Sequence, residues 1–363
     1  MLALVCGFNC HSTSSTSRID FPDPRRHGFQ GKIACGKMHM KQPNSSGKSL
    51  CICLTPLHVL IAERIKEENN WIFDLGIYMS YRRDEKQDFY FRKMKSFCKE
   101  IEFVTTPKEI YPNGLNKYIA IYKRRSHFLR KFYSYGTFNY VLASSSINHY
   151  LWSLVQSSNP DQLETYDDGL LNIAKTPAQH YKKTSFFENL FLNICGIRLN
   201  KEKLIDKSLK HYSIYEQDNW FSRVSYLPLH KVRNRTSIGH QHEIFVEVFL
   251  GPAPETSESI WILIDDYLRK NPNTLYLRHP RDEENRFDFL QTLHTRLIVE
   301  DYVIEQIQET GTNFTVTGTE SSALINLSTM PNVRTQSILP NRPEFHEARA
   351  LMSKFDVQLI HPD

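Results

Sequence analysis

The chain has 363 residues, 40% hydrophobic and 23% charged, with a formal net charge of +5. At about 100 to 200 residues per domain this length predicts two domains, and the balance excludes a fibrous or disulfide-stapled protein. No apolar run reaches the roughly 18 residues a membrane span needs, and the N-terminal "MLALVCGF" lacks the basic flank and full apolar core of a signal peptide, so a cytoplasmic protein is expected, at most touching a membrane surface.

Residues 1–49 are polar, rich in Ser, Pro and Gly and without periodicity, and read as a disordered tail; Met38 or Met40 is a plausible start of the functional protein. Within the tail "NSSGKS" imitates a phosphate-binding loop, but position 42 holds Gln where that motif needs Gly. From Leu50 short apolar runs alternate with amphipathic ones. "LCICL" leads to the helical "PLHVLIAERIKEE", and "WIFDLGIYMS" to "RDEKQDFYFRKMKSFC". "IEFVTT" follows, then "NYVLASSS" with "INHYLWSLVQSS", and then "LETYDD". Such alternation implies βαβ units and a mostly parallel sheet.

Between them, Tyr122 to Gly136 interleaves Lys and Arg with aromatics. That pattern suits anionic lipid, a phosphorylated glycan or nucleic acid, and equally a solvated helix face; no nucleic-acid motif accompanies it, so nucleic acid is not expected as a partner. The polar "HKVRNRTSIGHQ" reads as a linker. From His242 a second alternation runs through "EIFVEVFLG", "SESIWILIDDYLRKN", "TLYLRHP", "RLIVE", "DYVIEQIQET", "NFTVTGT", "SSALINLSTM", "NVRTQSIL", "PEFHEARALMSKF" and "DVQLI". The expected architecture is α/β, with Rossmann-like domains at residues 50–238 and 239–363 facing a cleft. Seven cysteines form no CxxC pair, and Cys51 and Cys53 lie inside a strand pattern, so reduced core thiols and no metal site are expected.

In such sheets ligands sit beyond the carboxyl ends of strands, which directs attention to "YDDG", "GPAPE", "HPR" and "TGTESS". Asp167 and Asp168 before Gly169 read either as a plain turn or as cleft carboxylates. His279, Pro280 and Arg281 put an imidazole and a guanidinium, both phosphate donors, in one loop. Ser321 and Ser322 open a helix, where hydroxyls join backbone N–H groups as an anion site. Glu300 could accept ribose hydroxyls, whereas Asp301 reads more simply as an acid complementing the helix dipole. No Asp-x-Asp occurs in the chain, so a metal-free mechanism is favoured.

Taken in order, "LCICLTPLHVLIAERI", "RDEKQDFYF", "PNGLNKY", "TYDDGLLN", "SYLPL", "VFLGPAPE", "YLRHPR", "IVEDYVI" and "SSAL" followed by "MPNV" resemble the bacterial lipooligosaccharide sialyltransferases of glycosyltransferase family 52, from about Leu50 to the C-terminus. The resemblance implies a GT-B fold, an acceptor-side N-terminal domain and a C-terminal domain holding CMP-sialic acid. It also implies inversion at the anomeric carbon, no metal or cofactor, and a galactose-terminated glycan as acceptor. The acidic-acidic-Gly and His-Pro motifs are hallmarks of bacterial sialyltransferases, so Asp167, Asp168 and Gly169 should border the cleft.

The family's general base resembles an Asp after Pro behind a Gly-ended strand. Its best match here is Glu255, beyond Gly251 and Pro254, with Glu for Asp and a longer spacing; it is favoured over Asp167 and Asp168, and Glu258 is a weaker candidate. His279, Ser321 and Ser322 would stabilise the departing phosphate. Within the same family a hexosyltransferase using another nucleotide sugar is the alternative, and outside enzymes a GT-B-like binding protein without turnover. Some relatives are intertwined dimers, and the sequence leaves a homodimer open. Its basic aromatic run would lie against the anionic inner face of the bacterial membrane.

Overall fold

A computed structural model describes residues 47–107, 122, 126, 130–173, 186–194, 196–216, 219–230, 245–279, 281–282 and 286–360. Residues 1–46 of the expected 1–49 tail and the expected domain boundary near 238 lie outside the described residues, and Ser49, expected in the tail, already begins the first strand.

Seven strands form the first sheet: β1 (Ser49–Cys53), β2 (Phe73–Ser80), β3 (Cys98–Thr105), β4 (Tyr140–Ser144), β5 (Gln162–Tyr166), β6 (Ser208–Ser213) and β7 (Val224–Tyr226). They run in the order β3-β2-β1-β4-β5-β6-β7, all parallel. Every residue of β1 is buried, because an inner parallel strand is covered by helices on both faces and must be apolar on both. The second sheet holds β8 (Phe245–Leu250), β9 (Leu275–Leu277), β10 (Asn313–Gly318), β11 (Val333–Ile338) and β12 (Gln358–Ile360), also parallel, in the order β12-β11-β10-β8-β9. Two Rossmann-like sheets are therefore present, as expected. Cys51, Cys53 and Cys98 are buried free thiols.

Among the crossover helices, α1 (Pro56–Asn69) starts on Thr55, whose side chain accepts from the His58 amide, with Pro56 in the first turn. Asp84 starts α2 (Glu85–Lys93) in the same way by accepting from the Gln87 amide. The others are α3 (His149–Ser158), α4 (Phe186–Ile194), α5 (Lys201–Lys207), α6 (Glu258–Lys270), α7 (Val299–Thr310), α8 (Ser322–Ser328) and α9 (His346–Lys354). The segment "RLIVE" is not the expected strand. Val299 and Glu300 already belong to α7, and the Ile298 amide, free of any sheet ladder, donates to Tyr90 Oη at 2.9 Å.

Both sheets reverse their winding once. In the first, the chain leaves β1 toward β2 and β3 and returns to the other side of β1 as β4; in the second it leaves β8 toward β9 and returns as β10. The carboxyl ends of β1 and β4, and of β8 and β10, are thus the two switch points where such folds open a crevice. One apolar core joins the sheets, running from Cys51, Tyr78 and Tyr166 to Val248, Val303, Leu324 and Phe355.

Candidate active site

On the first sheet, β5 ends in the two expected carboxylates, and strand alternation sends them to different places. Asp167 is wholly buried. Its Oδ1 accepts from His211 Nε2 at 2.9 Å and Asn172 Nδ2 at 3.2 Å, and its Oδ2 from Ser213 Oγ and the Ile214 amide, both at 2.8 Å. A carboxylate so enclosed is not placed to take a proton from a substrate, which corrects the expectation of a catalytic Asp167. Asp168 is the one that reaches the opening, with its side chain 20% exposed.

Asp168 Oδ1 lies 2.8 Å from His58 Nε2. The Leu54 amide donates to His58 Nδ1 at 3.1 Å, so the neutral ring carries its proton on Nε2 and donates it to Asp168. Burial pushes the Asp168 carboxyl up, but hydrogen bonds from His58 and Ser146 outweigh it and hold the group below its ordinary value. Gly169 closes the motif at φ +57°, where an added Cβ would meet nothing within 4 Å; the left-handed backbone, not crowding, calls for glycine. The turn expected of "YDDG" is present at Gly169, and Asp168 is the carboxylate of the motif that keeps some exposure.

On the second sheet, Gly251 ends β8 for the opposite reason. A Cβ there would stand 2.6 Å from Tyr276 Oη and 3.0 Å from the His279 amide, so its absence lets the β9 loop close over β8. That approach brings together three expected residues. Arg281 Nη1 donates to Glu255 Oε1 at 2.5 Å, and the Arg281 amide donates to His279 Nδ1 at 3.2 Å. Neutral His279 therefore carries its proton on Nε2, free to donate away from the loop. Burial lowers His279 below the ordinary imidazole value, Arg281 adds to this, and Glu255 and Asp282 oppose it. Pro280 lies outside the described residues, and Glu258 sits in the first turn of α6.

Glu300 and Asp301, at the start of α7, are both buried. Glu300 Oε1 accepts from Asn326 Nδ2 of α8 at 2.8 Å; burial raises its carboxyl, against that hydrogen bond. Asp301 does more than complement a helix dipole: it accepts from Tyr90 Oη at 2.9 Å and from Lys93 Nζ at 3.0 Å, pinning α2 of the first sheet to α7 of the second. Ser321 caps α8, its Oγ accepting from the Ala323 amide at 3.3 Å, which leaves its O–H able to donate; Ser322 is exposed. Lys86 of α2 feels the charge of Glu300, and His279 feels that of Arg82, after β2, so cations of the first domain act on the acid and the imidazole of the second.

Sequence reasoning missed His58, Arg82, Lys86, Tyr215 and Asn326. Arg82 follows closely on β2 and His58 sits in the first turn of α1, a few residues beyond β1, so the strand-end rule already applied to "YDDG", carried into the turn beyond each strand, would have reached both. Asn326 and Tyr215 had no such signal, since each looks like an ordinary polar residue until the other domain is in place. Among the described residues, no three His, Cys, Asp or Glu side chains gather as a metal site, and no helix is long and apolar enough to cross a membrane.

Two parallel Rossmann-like sheets that turn their switch points toward one another, with acids, an imidazole and a guanidinium in the loops after their strands, have the architecture of the GT-B class of glycosyltransferases. The sequence profile of glycosyltransferase family 52 matches residues 74–341, and the chain belongs to that family. It is 27% identical over 282 residues, 77% of this chain and 87% of the other, to the CMP-N-acetylneuraminate:beta-galactoside alpha-2,3-sialyltransferase of Pasteurella multocida. It is also 27% identical over 301 residues, 82% of this chain and 94% of the other, to the N-acetyllactosaminide alpha-2,3-sialyltransferase of Haemophilus influenzae. Among solved structures, Acinetobacter baumannii MurG aligns over 86% of this chain and 85% of its own, with 6% identity and a TM-score of 0.45. The glycotransferase of kitacinnamycin covers 86% of each chain, with 10% identity and a TM-score of 0.46.

Proposed function

We propose that this chain is an inverting, metal-independent sialyltransferase that moves sialic acid from CMP-sialic acid to a galactose hydroxyl of a bacterial surface glycan, in the α2,3 linkage named for its relatives. The observation that carries the reading is the convergence of Glu255, His279 and Arg281 on the loop ends beside Gly251.

In this scheme Glu255 is the general base. The Arg281 guanidinium holds one of its oxygens and so directs the carboxylate, which takes the acceptor hydroxyl's proton as the new bond to the anomeric carbon forms. The bond from that carbon to the phosphate oxygen breaks through an oxocarbenium-like state, and CMP leaves with the electron pair. Its phosphate gains charge where His279 Nε2–H and the Ser321 and Ser322 hydroxyls can donate. With His279 held below its ordinary value by burial and by Arg281, the ring acts as a neutral donor at pH 7, not as a proton source. Glu300 receives the donor's ribose hydroxyls. Asp168, oriented by His58, lies on the acceptor side. The acceptor's lipid end is taken to lie at the inner face of the membrane, beside the basic run that ends at Gly136.

The test is release of CMP from CMP-sialic acid, with and without lactose, in EDTA. Lactose-dependent release that survives EDTA is expected, with Glu255→Gln lowering kcat by about 10² to 10⁴ and His279→Ala lowering it comparably. Turnover of a different nucleotide sugar in place of CMP-sialic acid would replace the donor in this scheme. An Asp168→Asn variant that loses turnover while Glu255→Gln keeps it would move the base to the first sheet.

A further inference from the structure

One buried hydrogen-bond chain crosses from the first sheet to the second, and it begins at the acid that substrate cannot reach. Asp167 Oδ2 accepts from Ser213 Oγ and from the Ile214 amide, gripping the turn that follows β6. The Tyr215 amide donates to Ser213 Oγ at 3.1 Å, which fixes the next residue of that turn. From there Tyr215 Oη donates to Asn326 Oδ1 at 2.5 Å, on α8 of the other domain. Asn326 Nδ2 completes the path to Glu300 Oε1 at 2.8 Å. Asp167, Tyr215, Asn326 and Glu300 are 0%, 2%, 3% and 6% exposed, so the path between them is shielded from bulk solvent.

The direction of the chain follows from its chemistry. A carboxylate only accepts, so the amide of Asn326 must present its N–H to Glu300, and its oxygen is then left to receive the Tyr215 hydroxyl. Phenylalanine at 215 would leave that oxygen buried without a donor, and an acid at 326 would turn a donor into a like charge.

We propose that Asp167, Tyr215 and Asn326 are positioning residues for the sugar-nucleotide donor: together they hold one oxygen of Glu300 and leave the other for the donor's ribose. The acidic-acidic-Gly motif then divides its work, Asp168 at the acceptor side and Asp167 acting through the domain interface on the donor side. This rests on the donor-binding reading of Glu300 above. Around Glu300 stand Asp301 on its own helix, Lys86 and Tyr90 on α2, Tyr215 from the first sheet and Asn326 on α8. Burial and Asp301 disfavour its carboxylate, whereas Asn326 and Lys86 favour it, so losing the Asn326 donor shifts its titration to higher pH.

The experiment titrates CMP into the full chain and its Tyr215→Phe, Asn326→Asp and Glu300→Gln variants from pH 5 to 8, beside donor KM, kcat and thermal midpoints. We expect Glu300→Gln and Asn326→Asp each to weaken CMP binding roughly tenfold, the scale of a hydrogen bond to a charged group, and Tyr215→Phe severalfold. Asn326→Asp should move the acidic limb of CMP binding to higher pH, and in all three the donor KM should rise by more than kcat falls. Wild-type CMP affinity and pH limb in Tyr215→Phe and Asn326→Asp, beside a weakened Glu300→Gln, would make the chain a structural tie only and overturn the proposal. Unchanged affinity in Glu300→Gln would instead overturn the donor-side reading of Glu300, and the relay with it. Should Asn326→Asp fail to fold, Tyr215→Phe, which keeps the ring and loses only the hydroxyl, decides the matter.

Discussion

Two neighbouring aspartates with the same sequence signature differ here because one residue step on a strand reverses the side-chain direction. Asp168, held by His58 and Ser146 below its ordinary value, has a stability consequence of definite sign. A carboxyl whose folded-state value is depressed adds stability that is full above its unfolded value, about pH 4, and is lost as pH falls through the lower folded-state value. Urea midpoints of the wild type and an Asp168→Asn variant should therefore differ most at pH 5 to 7 and converge as the pH drops toward 3. His279 supplies the complementary case. Its imidazole proton signal should titrate below the ordinary value of about 6.5. In Arg281→Ala the midpoint should move up, because removing a neighbouring cation makes the imidazolium less costly; a downward move would show that Arg281 is not the charge acting on the ring.

Helix α2 carries more of the domain arrangement than its nine residues suggest. Tyr90 reaches both Asp301 and the Ile298 amide, and Lys93 pairs with Asp301 and with Glu63 of α1. Asp301→Ala would strand the Tyr90 hydroxyl in the interface, while Lys93 keeps Glu63. We expect a loss of about 1–3 kcal/mol, the usual cost of an orphaned buried donor, read as a lower urea midpoint. The same clamp explains why "RLIVE" is no strand. Val299 is buried and Ile298 half-buried in the core that both sheets share, and the Ile298 amide is bonded to a side chain of the other domain. An apolar run reports burial, and burial alone does not distinguish a strand from the approach to a buried helix.

At the scale of the molecule, a core continuous through both sheets and two interdomain tethers, at Asp301 and at Asn326, hold the switch points toward each other. The basic aromatic run belongs to this scale too. Tyr122 and Tyr133 are 55% and 60% exposed, and residues 123–125 and 127–129 of that run lie outside the described residues. If the run contacts anionic lipid, the chain should sediment with anionic vesicles at low salt and be released as ionic strength rises and the Debye length shrinks from about 10 Å toward 3 Å; binding indifferent to salt would refute an electrostatic contact.

Alternating apolar and amphipathic segments were enough to read two parallel α/β sheets, since the period of the hydrophobic pattern is a local property. The rule that ligands sit at strand ends pointed to the segments that hold Glu255, His279, Asp168 and Ser321, because each lies within a few residues of a strand's end in the chain. Which of two adjacent aspartates faces the opening depended on the packing of β6 beside β5. The partners of Glu300 and Asp301 lie far away in the chain, at Asn326, Tyr215, Tyr90 and Lys93. Such contacts are set by how two finished domains dock, and a one-dimensional pattern carries no trace of them.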